Sequence, residues 1–358
     1  MNQAPVLKSK RFISLDLLRG LAAVGVVVRH AFPVSIYTEP LPYLVDFFFV
    51  LSGFVLEPMY PTAKDSARQT RRFIIKRIVR FWPMAITVLT CNLMLYFVLS
   101  ATGVVMQESF ITPASILYSY CLLQIFSKES VLILTPLWSL SAEWIVNILS
   151  IPFVLMRKYL VVLIFTGLGF CMLLNYLSDK PFQQSLALPL TGFGGFGRAM
   201  FGFGIGIALR IFYESFTARG KKLSRHFGLV VAFPLLLLTV CSYIIGTKVL
   251  LIASLCFAPL IWFAAWHDEV ISTSRLRNFA ITIGELSFGI YAWHYVFYNP
   301  LHQNPISSNL WLQGIVNLVA MLSLAVIATR FTQKYVEQPI QRFYNRRQTR
   351  ATFPASSR

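Results

Sequence analysis

The first long apolar stretch of the chain, residues 14–32, contains the ionisable side chains Asp16, Arg19, Arg29 and His30. A helix of about 20 residues crosses the hydrocarbon core of a bilayer, and charges inside it usually face a protein interior or a water-filled cavity. Arg19 and His30 are eleven positions apart. This is about three helical turns, so both lie on one stripe, roughly 16 Å apart. In the alternative interpretation, the charged side chains near the two ends of this helix extend to opposite membrane surfaces.

Charged residues also lie inside later apolar runs: Glu143 in LWSLSAEWI, Arg198 in GFGGFGRAMFGFGIG and Asp46 in VDFFFVLSGFVL. An unpaired charge is costly there, so each is expected to have a partner or to line a cavity. The expected partners of Glu143 are Arg19, Arg198 and His30, and a structural ion pair fits the pattern as well as a catalytic role. Asp46, on the level of His30, fits either a functional role or a helix cap.

Two pairs of residues share a helix face because their members are three positions apart. Arg77 and Arg80 lie in the basic run RFIIKRIVRFWP, and their guanidinium groups suit phosphates. Anchoring to lipid headgroups is the alternative for this pair. Tyr291 and His294 lie in LSFGIYAWHYVF, where the histidine either organises the core or assists catalysis.

Together these elements resemble the membrane-bound acyltransferase-3 family. The resemblance rests on an Arg-Gly pair with a His eleven positions after the Arg, on the Phe-Phe/Ser-Gly-Phe segment, and on RxxR. It also rests on Trp-Ser-Leu-x-x-Glu, on the segment ending at His294 (with Phe288 where a Tyr is commoner), and on the closing Glu337-x-Pro339. Members transfer acyl groups, often acetyl, from the coenzyme A thioester to sugars or other small hydroxyl acceptors.

The resemblance implies an O-acyltransferase of the inner (plasma) membrane that acts on a cell-surface or exported glycan. Acyl-CoA, in particular acetyl-CoA, is then a co-substrate and no cofactor is bound. His30 is the expected general base, because a neutral imidazole accepts a hydroxyl proton. Arg19 holds the donor or polarises its carbonyl, and Glu143 completes the expected catalytic set. The expected substrate-binding residues are Arg77, Arg80, Asp46, Arg198, Tyr291 and His294.

The composition independently indicates a polytopic helical membrane protein, since 56% of the residues are hydrophobic and the mean hydropathy is +0.64. The 32 Lys and Arg outnumber the 14 Asp and Glu. They cluster in short segments between apolar runs without a base-stacking module, so the expected partners are membrane lipids and not nucleic acid. None of the five cysteines has a metal-ligand spacing, and no metal is expected.

Two other function classes fit buried charges in a membrane. A transporter or exporter of a small molecule also places charges along its substrate path. The chain shows no internal repeat of the kind that many transporters have. A receptor or scaffold leaves the Arg19 and His30 stripe unexplained.

The elements that must position these residues are about ten spans with both chain ends cytoplasmic, by the positive-inside rule. Residues 64–82 are expected to form an interfacial helix, with the third span beginning at Pro83. Residues 112–126 are too short to span and are expected to be re-entrant or an external hairpin. Residues 1–344 form one domain, and 345–358 a basic disordered tail. The spans are 14–32, 43–60, 83–101, 137–156, 159–177, 193–213, 227–246, 249–266, 279–299 and 310–329.

Overall fold

A computed structural model describes residues 11–33, 38, 40–60, 66–102, 111–127, 133–156, 158–178, 191–219, 237, 249–268, 273–303 and 305–352. Within these ranges the regular structure is entirely helical. Short 3₁₀ turns flank α2 and follow α4, and a π-helical turn, Gln333–Glu337, joins the last two helices. The helices are α1 Ile13–Ala31, α2 Leu44–Leu56, α3 Ser66–Ala101, α4 Pro113–Tyr120, α5 Leu137–Met156, α6 Lys158–Ser178, α7 Gly192–Ala218, α8 Leu250–Trp266, α9 Ser274–Gln303, α10 Leu310–Thr332 and α11 Gln338–Thr352.

The helices confirm a polytopic membrane protein. Six segments of the described chain are long and apolar enough to cross a bilayer, and α8 is a shorter apolar helix. The helix α1 is 19 residues long and falls outside that set, since it carries the three charges Asp16, Arg19 and Arg29. The expected span 227–246 lies outside the described residues except for position 237. The expectation that 112–126 is too short to span is confirmed, because α4 has only eight residues.

The helix α3 corrects one expectation. It runs without interruption for 36 residues with Pro83 inside it, whereas the sequence predicts an interfacial helix that ends before this proline. Buried Phe81, Met84 and Val88 pack on both sides of Pro83, and this packing offsets the backbone hydrogen bond that proline cannot make. At about 54 Å, α3 is longer than the hydrocarbon core, so its basic first turns extend beyond it.

Glycines allow the helix backbones that carry the site to touch. A Cβ atom at Gly53 of α2 would meet the backbone of Phe203 and Gly206 in α7. A Cβ atom at Gly284 of α9 would lie 2.7 Å from the Cβ of Asp16 in α1. Gly53 and the glycine-rich run of α7 therefore serve close helix packing.

The last helix crosses the predicted boundary between the domain and the tail. The helix α11 extends to Thr352, past Tyr344, where the sequence predicts that the ordered domain ends. Its residues up to Arg346 are mostly exposed. Residues 353–358 lie outside the described part of the chain.

Candidate active site

A cavity of about 640 Å³ lies between the first half of α1, the length of α2, the first half of α3, the start of α5, the middle of α9 and the turn after α10. The charge distribution predicts that the first halves of α1 and α3 and the turn after α10 lie towards the cytoplasm, so the cavity reaches from that side into the helix bundle. The cavity wall is mixed, with apolar side chains and many charged ones. The charged residues of the wall are Arg11, Asp16, Arg19, Arg77, Arg80, Glu143, Glu285, Arg330 and Glu337.

Arg19 reaches this cavity with a fixed orientation. Its Nη2 donates to the carbonyl oxygen of Gly284 at 2.6 Å and lies 3.1 Å from Oδ1 of Asp16. Asp16 also accepts a hydrogen bond from Arg11 at 2.6 Å, and Arg11 lies 3.2 Å from Glu285. The contact between α1 and α9 therefore holds the guanidinium of Arg19. The Nε atom of Arg19 has no hydrogen-bond partner in this structure.

Arg77 and Arg80 face the same cavity from α3. The Arg77 side chain is buried, and its guanidinium lies 5.5 Å from the ring centre of Phe73 and 5.9 Å from that of Phe81. These rings support the guanidinium through cation–π contacts. The sequence predicts that the two arginines share a face, and the structure places that face on the cavity.

Glu143 also lines the cavity but does not form the expected ion pair. Its Oε1 accepts a hydrogen bond from Ser52 Oγ at 2.8 Å. Arg198, one of its expected partners, binds Asp46 instead, with donor–acceptor distances of 3.2 and 2.7 Å. The Glu143 carboxylate therefore acts on the cavity arginines through charge and not through a direct bond.

Asp46 and Arg198 lie outside the cavity. Both side chains are only 1% exposed, and the Arg198 guanidinium is 5.3 Å from the ring centre of Trp138. The expectation that Arg198 has a partner is confirmed. The pair joins α2 to α7 inside the helix bundle, so the structure gives it a packing position where the sequence predicts a substrate contact.

Tyr291 is the last residue of α9 on the cavity wall, and this end of the wall is called the Tyr291 floor. The Tyr291 hydroxyl donates to the carbonyl oxygen of Pro136 at 3.0 Å and lies 2.6 Å from Ser139 Oγ. His294, one turn later on α9, is fully buried, and the two ring centres are 5.9 Å apart. Tyr291 thus connects the cavity to the interior beyond it.

His30 lies beyond this floor, at the opposite end of α1 from Arg19, and is not part of the cavity wall. Its ring centre is 5.2 Å from that of His294, 5.3 Å from Tyr295 and 5.4 Å from Tyr298. His30 is partly exposed, whereas His294 is not. The sequence-predicted residues therefore form two groups, the arginine-lined cavity and a histidine cluster, made of His30, His294, Tyr295 and Tyr298.

Sequence reasoning missed the residues that the π-helical turn brings to the cavity. Arg330, Gln333 and Glu337 line its wall, and Gln333 Nε2 donates to the carbonyl oxygen of Glu285 at 3.0 Å. An arginine at the end of the last span usually anchors the helix at the membrane surface. Its presence in the sequence therefore does not indicate a binding site. The closing Glu337-x-Pro339 element is the one sequence pattern that includes a residue of this region, and it assigned that residue no role in a cavity.

Comparisons with known proteins give two findings. A family model described as "Acyltransferase domain" matches residues 12–330. A curated protein of Rhizobium radiobacter, "Protein 2 in picA locus", is 29% identical over 161 residues, which is 41% of this chain and 83% of that protein. No solved structure matches.

Proposed function

This chain belongs to the acyltransferase family whose model matches residues 12–330, and we propose that it transfers an acyl group, acetyl in the first instance, from acyl-CoA to a sugar hydroxyl. The acceptor sugar belongs to a cell-surface or exported glycan, and the protein resides in the inner membrane. The observation that carries this proposal is the convergence of Arg19, Arg77 and Arg80 on one cavity at the predicted cytoplasmic side. Acyl-CoA is a cytoplasmic anion, so such a cavity suits it.

The arginine-lined cavity is the proposed donor site. Coenzyme A carries a pyrophosphate and a 3′-phosphate, and guanidinium groups bind phosphate oxygens with two parallel hydrogen bonds. Arg77 and Arg80 offer these contacts from α3, and Arg330 offers a further one from the end of α10. Arg19, whose guanidinium is already held by Gly284 and Asp16, lines the same cavity and contacts the part of the donor that leads towards the acyl end.

Glu143 balances the positive charge of this site. Its carboxylate interacts electrostatically with both Arg19 and Arg77. The hydrogen bond from Ser52 fixes its direction. We propose that Glu143 orients the guanidinium groups of Arg19 and Arg77. It takes no part in proton transfer, because His30 accepts the proton of the acceptor hydroxyl.

The histidine cluster is the proposed place of proton transfer. The acceptor hydroxyl oxygen bonds to the thioester carbonyl carbon while His30 takes the hydroxyl proton. The carbon–sulfur bond then breaks, and the resulting imidazolium returns the proton to the coenzyme A thiolate. The products are the ester and free coenzyme A. The roughly 16 Å between Arg19 and His30 means that the extended pantetheine arm must pass the Tyr291 floor.

Membranes with and without the protein provide the basic test. Radiolabelled acetyl-CoA is added to vesicles, and label in the glycan fraction is measured together with mass spectrometry of the glycans. Label and an added acetyl mass that depend on the protein support the proposal. Identical glycans and no label above background would contradict it.

A further inference from the structure

His294 has one ring nitrogen committed to a hydrogen bond and the other without a partner. Its Nδ1 lies 2.7 Å from the carbonyl oxygen of Tyr291. A carbonyl oxygen can only accept, so Nδ1 carries the proton and Nε2 bears a lone pair. Nε2 is buried and has no hydrogen-bond partner in the structure. An acceptor in that condition is costly unless another group donates to it.

The bond to Tyr291 is not needed to build the helix. Both residues lie in α9, where the carbonyl oxygen of residue 291 already faces the N–H of residue 295 in the helical ladder. The side-chain bond is therefore an addition to the ladder. Its consequence is the choice of tautomer, because it directs the lone pair to Nε2.

Among the aromatic rings in contact with His294, the ring of His30 is the nearest. An N–H···N hydrogen bond of about 2.9 Å, plus about 1.1 Å from each nitrogen to its ring centre, separates two imidazole centres by roughly 5 Å. The observed separation between His30 and His294 is 5.2 Å. Tyr295 and Tyr298 also contact the His30 ring in edge-to-face geometry. Only the orientation of the rings has to adjust for a bond to form.

We propose that His294 is a positioning residue for His30, with its Nε2 accepting a hydrogen bond from one N–H of the His30 ring. This bond fixes the tautomer of His30 and leaves its other nitrogen free to accept the proton of the acceptor hydroxyl. The imidazolium that forms keeps the same bond, so its new charge is stabilised. Exposure assigns the two roles, since His30 is partly exposed and His294 is 0% exposed. The inference rests on the proposed function of His30.

Two amide variants separate positioning from packing. In His294→Asn the amide nitrogen replaces Nδ1 and keeps the bond to Tyr291, but nothing remains at the Nε2 position. In His294→Gln the longer side chain places an amide oxygen near Nε2 and leaves the Tyr291 bond unmade. We expect Asn to lower kcat by roughly 10²–10³-fold and Gln to keep it within about tenfold, with KM for acetyl-CoA unchanged in both. Equal losses, or better activity with Asn, would overturn the inference.

A measurement on the wild-type protein covers the case in which both variants fail to fold. Solid-state NMR of ¹⁵N-histidine-labelled protein in lipid vesicles reports which ring nitrogen carries the proton. We expect a protonated Nδ1 and a hydrogen-bonded, unprotonated Nε2 for His294, with a contact to a protonated nitrogen of His30. A protonated Nε2 would overturn the inference. Failure of the proposed function has a different signature, since the wild-type protein itself would then transfer no acetyl group.

Discussion

At the scale of single residues, His30 is the group on which the proposed chemistry depends. It is the partly exposed member of the histidine cluster, and its neighbours His294, Tyr295 and Tyr298 fix the ring by contact. We expect His30→Ala to fold and to lose acyl transfer by about 10²–10⁴-fold, the usual contribution of general acid–base catalysis. The measurement is labelled acetyl transfer at matched membrane expression.

The control for this prediction is another histidine. His267 stacks on Phe263 at the end of α8 and belongs to neither the cavity nor the histidine cluster. His267→Ala is therefore expected to retain most of the activity. Wild-type activity in a correctly inserted His30→Ala protein would remove His30 from the mechanism.

Arg77 and Arg80 allow a second prediction at this scale. If they bind donor phosphates, loss of one charge-assisted contact costs about 1.5–3 kcal/mol, which raises the KM for the donor roughly ten- to a hundredfold. Lysine recovers little, because an ammonium keeps the charge but not the paired hydrogen bonds. The assay is donor titration for the Ala and Lys variants at both positions.

Arg71 provides the matched control on the same helix, since it is exposed and does not line the arginine-lined cavity. Arg71→Ala is expected to leave the KM for the donor unchanged. If the KM is also unchanged in all four variants of Arg77 and Arg80, lipid anchoring is the remaining explanation for this pair.

At the scale of elements, the contact between α2 and α7 sets the positions of Ser52 and Asp46. Gly53→Ala brings a Cβ against the backbone of α7 and is expected to lower the free energy of unfolding by roughly 1–3 kcal/mol. A Cβ atom added at Gly167 in α6 would have nothing within 4 Å, so Gly167→Ala is expected to be neutral or to stabilise by up to about 1 kcal/mol.

Thermal unfolding of the two proteins in detergent, followed by their tryptophan fluorescence, compares these variants directly. Both substitutions change a helical glycine to alanine, so the difference between them isolates the helix–helix contact. A Gly53→Ala protein as stable as the Gly167→Ala protein would show that α2 and α7 do not depend on this close approach.

At the scale of the whole molecule, the orientation in the membrane decides which substrate meets which group. The distribution of Lys and Arg predicts that Arg71, Arg219 and Arg346 are cytoplasmic and that α4 is external. In a cysteine-free background, an impermeant thiol reagent added outside is expected to label Ala114→Cys, an exposed position on α4. The reagent is expected not to label Arg219→Cys or Arg346→Cys. Both positions are also exposed, and Arg219 directly follows the end of α7.

Labelling of Arg219→Cys from outside would overturn this orientation. The arginine-lined cavity would then face away from the cytoplasmic pool of acyl-CoA, and the donor assignment would fail with it. Labelling of all three positions only after the membrane is opened would instead place α4 inside.

The sequence by itself determined the membrane class, most of the helices and the spacing within each helix. The predicted span 137–156 coincides with α5, Leu137–Met156, because hydropathy and length are local properties of the chain. The shared face of Arg77 and Arg80, and the roughly 16 Å between Arg19 and His30, follow from helical geometry alone. The family resemblance also needed nothing beyond these local patterns.

Only the tertiary structure decided which residues of different helices meet. It placed Glu143 beside Ser52 and paired Asp46 with Arg198, and it brought His294 to His30. It also carried α3 through Pro83 and brought Arg330 to the cavity. These outcomes depend on how closely the helix backbones approach and at what register, which the glycine contacts of α1, α2, α7 and α9 fix through space. No spacing along a single helix contains that information.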